Sequence, residues 1–95
     1  MKKKLDEQSA VELAKADLSS RLGISISEIS AEVKPMEFAN SCLEAEREDE
    51  FCADMTVRGW KIFLSSGSGI KHEYRASRNQ LRLVGYQGQN HKIYP

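Results

Sequence analysis

Cys42 and Cys52 stand ten residues apart in the stretch NSCLEAEREDEFC, residues 40–52, and the nine residues between them include five acids, Glu44, Glu46, Glu48, Asp49 and Glu50. Thiols and carboxylates grouped in this way suit a metal site, a redox couple or a covalent staple. A structural zinc site needs about four ligands in compact pairs. No second cysteine pair or H-x₃₋₅-H partner accompanies these cysteines, because His72 and His91 stand alone. A redox dithiol favours C-x-x-C at a helix start, and that spacing is absent too. A Cys42–Cys52 disulfide closing a hydrophilic loop is the reading that fits, with two free thiols in a cytoplasmic protein as its alternative. By chain entropy such a staple stabilises a domain by roughly 2–3 kcal/mol. It implies an oxidising compartment, periplasmic or extracellular.

The same five acids could hold calcium, which takes six to eight hard oxygen ligands. They lack the alternating D-x-[DN]-x-[DN]-G order that turns carboxylates inward, so a solvated acidic loop is the preferred reading and no metal is expected. Catalytic patterns are missing: there is no G-x-S-x-G, no H-E-x-x-H and no phosphate loop. His72 falls on an inward-facing strand position beside Tyr74, where a hydrogen-bonded core histidine is the commoner role than a general base. Gly67-Ser68-Gly69 reads as a hairpin turn, since no following helix would make it a phosphate cradle. The expectation is a protein without catalytic residues or a cofactor.

These residues must be positioned by one domain spanning 1–95, because two cores in 95 residues would each be too small. Hydrophobic residues at 40% and charged residues at 29% are the composition of a folded globular domain. No stretch reaches the ~18 apolar residues of a membrane span, and the basic start MKKKLDEQSAVELAKADL lacks the apolar run of a signal peptide. Ser9-Ala10-Val11-Glu12 reads as a capping box. Val11, Ala14, Leu18 and Leu22 then recur at helical spacing, and Gly23 supplies a left-handed stop. Ser25 to Glu28 repeats the cap signature as a single turn. Ile29, Ala31 and Val33 alternate with polar residues as a strand, and Pro35, which cannot donate to a ladder, makes it an edge strand or one that carries a bulge.

Three further β-rich runs, ADMTVRGWKIFLSS, IKHEYRAS and QLRLVGY, are separated by short Gly, Ser and Asn turns and form an antiparallel meander. The fold class is therefore α+β, one N-terminal helix packed on an antiparallel sheet of about four strands in the order α-β-β-β-β. Residues 1–6 and 87–95 are expected to be loose ends. Trp60, Ile62, Leu64, Ile70, His72, Tyr74, Ala76, Leu81 and Leu83 should face the helix. On the opposite face lie Lys61, Phe63, Arg75, Arg82 and Tyr86, a cation-plus-aromatic set of the kind that stacks bases or sugars. Solubility alone also demands long basic side chains there.

Zero formal charge conceals an uneven distribution. Residues 1–54 carry seven Lys/Arg against thirteen Asp/Glu, a balance of −6, and residues 55–95 carry seven against one, a balance of +6. Internal complementarity between the halves is the expected reason, with nucleic-acid binding the sharper and less favoured one.

FANSCLEA, then FCADMTVRGWKIFLSS, then HEYRAS resemble the core of a small bacterial family of exported domains of unknown function. That core reads W-x-[DN]-x-x-L-G-C or [DN]-x-C-L-G, then a second Cys, P-G-[WY]-[RK]-[IV]-x-[LV] and a tyrosine strand. With LAKADLSSRLGISISEISAEV matching the family's helix and first strand, the resemblance covers about three quarters of the chain. Phe38, Glu44 and Arg58 stand where the family has Trp, Gly and Pro. The element order is also similar to cystatin and PepSY-type folds, in which a sheet wraps one helix. What the resemblance implies is fold and export rather than an activity. The expected function is that of a non-enzymatic binding or interaction domain, exported, whose partner is another protein. The alternatives are a protease-inhibitor or propeptide-like module and, on the basic sheet face, single-stranded nucleic-acid binding.

Overall fold

A computed structural model of the chain describes residues 3–95, with helix α1 at Glu7–Leu22, a 3₁₀ turn at Ile26–Glu28, and strands β1 (Ser30–Asn40), β2 (Asp54–Ser65), β3 (Lys71–Ser77), β4 (Leu81–Tyr86) and β5 (Gln89–Tyr94). The strands pair in chain order, all antiparallel, into one five-stranded sheet. The fold is the expected α+β arrangement with one strand more than the four expected.

The helix starts three residues earlier than the capping box at Ser9 suggested. Asp6 is the N-cap: its carboxylate accepts from the Ser9 N–H at 2.7 Å, and the Ser9 hydroxyl accepts from the Asp6 N–H at 2.9 Å. Ser9 thus serves as the far half of a box rather than its opening, because Asp6 offers the stronger acceptor one turn upstream. Gly23 ends the helix at φ 67°, its N–H bonded to the Ser19 carbonyl. Ala10, Ala14 and Leu18 are completely buried against Ile62, Leu64, Tyr74, Ala76, Leu81 and Leu83 in a single apolar cluster. Two alanines on the contact stripe let the helix lie close to the sheet. Buried Tyr74 keeps its hydroxyl satisfied by donating to Asp17 Oδ2 on α1 at 2.7 Å. Burial first, and that bond second, push its phenol well above the usual range.

The segment 87–95 is not a loose end. Gln87 (φ 53°) and Gly88 (φ 77°) are both left-handed, the geometry of a two-residue primed hairpin turn, and they fold β5 back onto β4. Ile93 and Tyr94 pack against the main core. Residues 3–6 are tied down as well. Leu5 is buried and its N–H donates to the Arg78 carbonyl at 2.7 Å, while the Tyr94 hydroxyl donates to the Lys3 carbonyl. Residues 1–2, included in the expected N-terminal loose end, lie outside the described residues. Ile70, expected to face the helix, precedes β3 and is 60% exposed.

Two backbone features set how the outer face is built. At Gly59 a Cβ would stand 1.9 Å from the Ala76 carbonyl oxygen, so β2 and β3 approach as closely as only glycine allows. On the edge strand β1, Pro35 brings no N–H to the ladder, and the Glu44 carboxylate accepts the Ala39 N–H at 3.0 Å.

Candidate functional site: the stapled loop on the outer sheet face

Cys42 and Cys52 are joined by a disulfide, with their Cα atoms 5.6 Å apart. The loop it closes is held from within by Asn40. Its side-chain oxygen accepts from the Cys42 and Glu44 amides, both at 2.9 Å, and its amide nitrogen donates to Glu46 at 3.3 Å. Leu43 and Glu44 adopt left-handed φ values of 57° and 54°, which Asn40 supports. Ser41 and Ala53 bridge the mouth of the loop through two 2.9 Å bonds.

Held in this shape, the loop lies back over the outer face of the sheet. Phe38, Cys42, Leu43 and Ala45 are all buried there, outside the main core cluster. Arg82, 3% exposed, donates to the Ala45 carbonyl at 3.1 Å and makes a two-pronged contact with Glu50 at 2.5 and 2.7 Å. Arg75 donates to the Leu43 and Glu44 carbonyls at 3.0 and 2.7 Å and to Glu73 at 2.6 Å, with its guanidinium 5.9 Å from the Phe38 ring centre. Gln80 and Asn90 donate to the Ser41 and Glu46 carbonyls. Direct hydrogen bonding from Arg82 holds the Glu50 carboxyl at about 2, against the opposing effect of burial.

Of the five residues expected to form one exposed binding face, Lys61, Phe63, Arg75 and Arg82 share the outer face, but not as an open surface, and Tyr86 is not among them. Arg82 and Arg75 are spent on the loop. Tyr86 is on the other side of the sheet, packed against the main core, with Arg21 of α1 5.2 Å above its ring and the His72 and His91 rings 6.1 and 5.9 Å away. The cause is Gly85, whose φ of 67° accompanies a register shift between Leu83 and Tyr86 and turns the strand's alternation over by one residue. Lys61 and Phe63 remain on the outer face, half-buried. His72 is half-buried on the helix side.

Nor is the acidic loop simply solvated. Glu50 closes on Arg82 and Glu44 on the Ala39 amide, while Glu46, Glu48 and Asp49 stay exposed. Cys42 Sγ, Cys52 Sγ and a Glu50 oxygen lie within 4.8 Å of one another, but sulfurs bonded to each other are not the thiolates a metal requires. The −6 and +6 halves do meet as internal complementarity: the ion pairs Glu50–Arg82, Glu37–Arg58 and Glu32–Lys71 each join one half to the other.

The loop's burial was legible only as the apolar residues Cys42, Leu43 and Ala45 inside a run dominated by charge. Among its apolar side chains the loop leaves Phe51 exposed. It is 95% exposed, although both its neighbours are anchored, Glu50 to Arg82 and Cys52 to Cys42, and Met55 at the start of β2 is 52% exposed.

A helix on one face of a meander sheet and a stapled loop on the other define a small α+β domain built around a covered sheet. The chain belongs to the family described as "Domain of unknown function (DUF8738)", whose model matches residues 11–84, from the first turns of α1 through most of β4. No curated protein and no solved structure matches it.

Proposed function

We propose that this is an exported, non-enzymatic interaction domain that offers the tip of its stapled loop to another protein. One observation carries the reading: the phenyl ring of Phe51 stands in water on a backbone that is fixed on both sides. Burying such a ring is worth roughly 1.5–3 kcal/mol, and a rigid aromatic gives that up with little ordering cost when a partner covers it. The disulfide supports export, because such bonds persist in oxidising compartments. The resemblance to exported bacterial domains points the same way.

The test is a photo-crosslinking residue placed at position 51 in the cell, with the exposed helix position Glu7 as control. The expected result is a discrete adduct at 51 and none at 7. An inhibitor-like role would use the same ring, and a peptidase in the adduct would select it. Equal adducts at both positions, or none at 51, would sink the reading.

A further inference from the structure

The pairing of the strands places one cation from each of the five directly opposite the next. Lys34 faces Lys61, Lys61 faces Arg75, Arg75 faces Arg82, and Arg82 faces Lys92, all on the outer face. With strands ~4.8 Å apart, this is an unbroken cationic row across the whole sheet. Like charges directly opposite one another destabilise a sheet, so such a row calls for anionic groups to lie on it. Over its second half they do. Glu50 and the carbonyls of Leu43, Glu44 and Ala45 satisfy Arg75 and Arg82, and Lys92 adds its field to the Glu50 carboxylate. The first half lacks this cover. Among the described residues the one ion pair of Lys34 is with Glu32, at 3.8 Å, which Lys71 shares at 3.5 Å. Among the described residues Lys61 enters no ion pair. Phe63 lies one row along, with Lys34 Nζ 5.8 Å from its ring centre.

We infer that the open half of the row, Lys34 and Lys61 with Phe63, is a second contact surface that binds a short acidic peptide segment of a partner protein, independent of Phe51. The covered half shows the chemistry this face accepts: a peptide laid across the strands, giving carboxylates and carbonyl oxygens to the cations. Phe63 adds an apolar surface for the side chain beside the acid. A long polyanion fits less well, because its continuation would run against the exposed carboxylates of Glu46, Glu48 and Asp49. One or two carboxylates match the span of two lysines.

Titrating isotopically labelled full-length protein with the peptide acetyl-Gly-Asp-Phe-Glu-Gly-amide at low salt, and following backbone amide shifts, tests this. The largest shifts are expected at Lys34, Lys61 and Phe63. The double variant Lys34→Gln/Lys61→Gln should melt at or slightly above wild type, because it relieves the facing like charges, yet bind about tenfold more weakly, the worth of roughly one charge-assisted hydrogen bond. Shifts centred elsewhere, or unchanged affinity in the double variant, would overturn the inference. So would tighter binding of an oligothymidylate of equal charge, which would assign the surface to nucleic acid.

Discussion

The two faces of the sheet are closed by different physics. On the helix side Ala10, Ala14 and Leu18 meet Ile62, Leu64, Tyr74, Ala76, Leu81 and Leu83, so closure there depends on removing apolar area from water. On the loop side, among the described residues, only Phe38, Cys42, Leu43 and Ala45 are buried as apolar residues, and the cover depends on Arg75, Arg82, Glu50 and one covalent bond. The first kind of closure is indifferent to reductants, and the second responds to reductants and to acid. A chain of this size thereby covers both faces of a sheet with apolar residues enough for one.

The contrast can be broken most forcefully from the helix side. Leu18→Ala should destabilise the whole domain by about 2–4 kcal/mol as a core cavity, read as a drop in the denaturation midpoint for helix and loop together. A loss below about 0.5 kcal/mol, within the range of surface substitutions, would show that the helix is not what holds the fold.

Reduction of Cys42–Cys52 acts on the other face and should remove roughly 2–3 kcal/mol. Hydrogen exchange should speed first at the Leu43 and Ala45 amides while those of Ala14 and Leu18 stay protected. Simultaneous loss on both sides would erase the distinction, and free thiols in air-exposed native protein would remove the staple altogether.

A smaller effect, about 1–3 kcal/mol, is expected for Arg82→Met, which leaves the Glu50 carboxylate without its donors. Its signature lies in pH. The Glu50 carboxyl is held at about 2 in the folded chain against an ordinary 4.5. Its contribution is therefore fully present above pH 4.5, declines as pH falls, and is gone below about 2. Wild type should show this acid-side loss and Arg82→Met should lack most of it. Identical pH profiles would mean that the pair does not hold the loop.

The smallest change belongs to Phe51→Ser, expected to move stability by less than about 0.5 kcal/mol because the ring touches little. A larger loss would place Phe51 in the cover rather than in the contact surface.

Local periodicity carried the helix, the single turn and the first four strands, since each announces itself within a dozen residues by caps or alternation. Longer-range facts were not written locally. Arg82 and Glu50 are 32 positions apart, and nothing near either residue says that they meet. The turn into β5 was hidden because Gln87 stands where a primed turn ordinarily shows Asn or Asp. Gly85 was readable as a strand glycine, but its bulge reverses which face Tyr86 takes, and alternation counted through it puts that ring on the wrong side. The two cysteines were the part of the candidate site most legible in advance, because so few chemistries tolerate their spacing. Phe51 carried no signal at all, as exposure is a property of the folded loop.

The edge strand β1 bears on how the protein behaves in a crowd. Eleven residues of open backbone are a template on which a second chain could stack, and fibril-forming zippers need about six consecutive residues. Pro35 withholds its donor in the middle and Glu44 occupies the Ala39 amide, leaving Ser30–Lys34 as the longest unbroken run, five residues. On this edge the template is thereby cut below the length that a fibril-forming zipper needs.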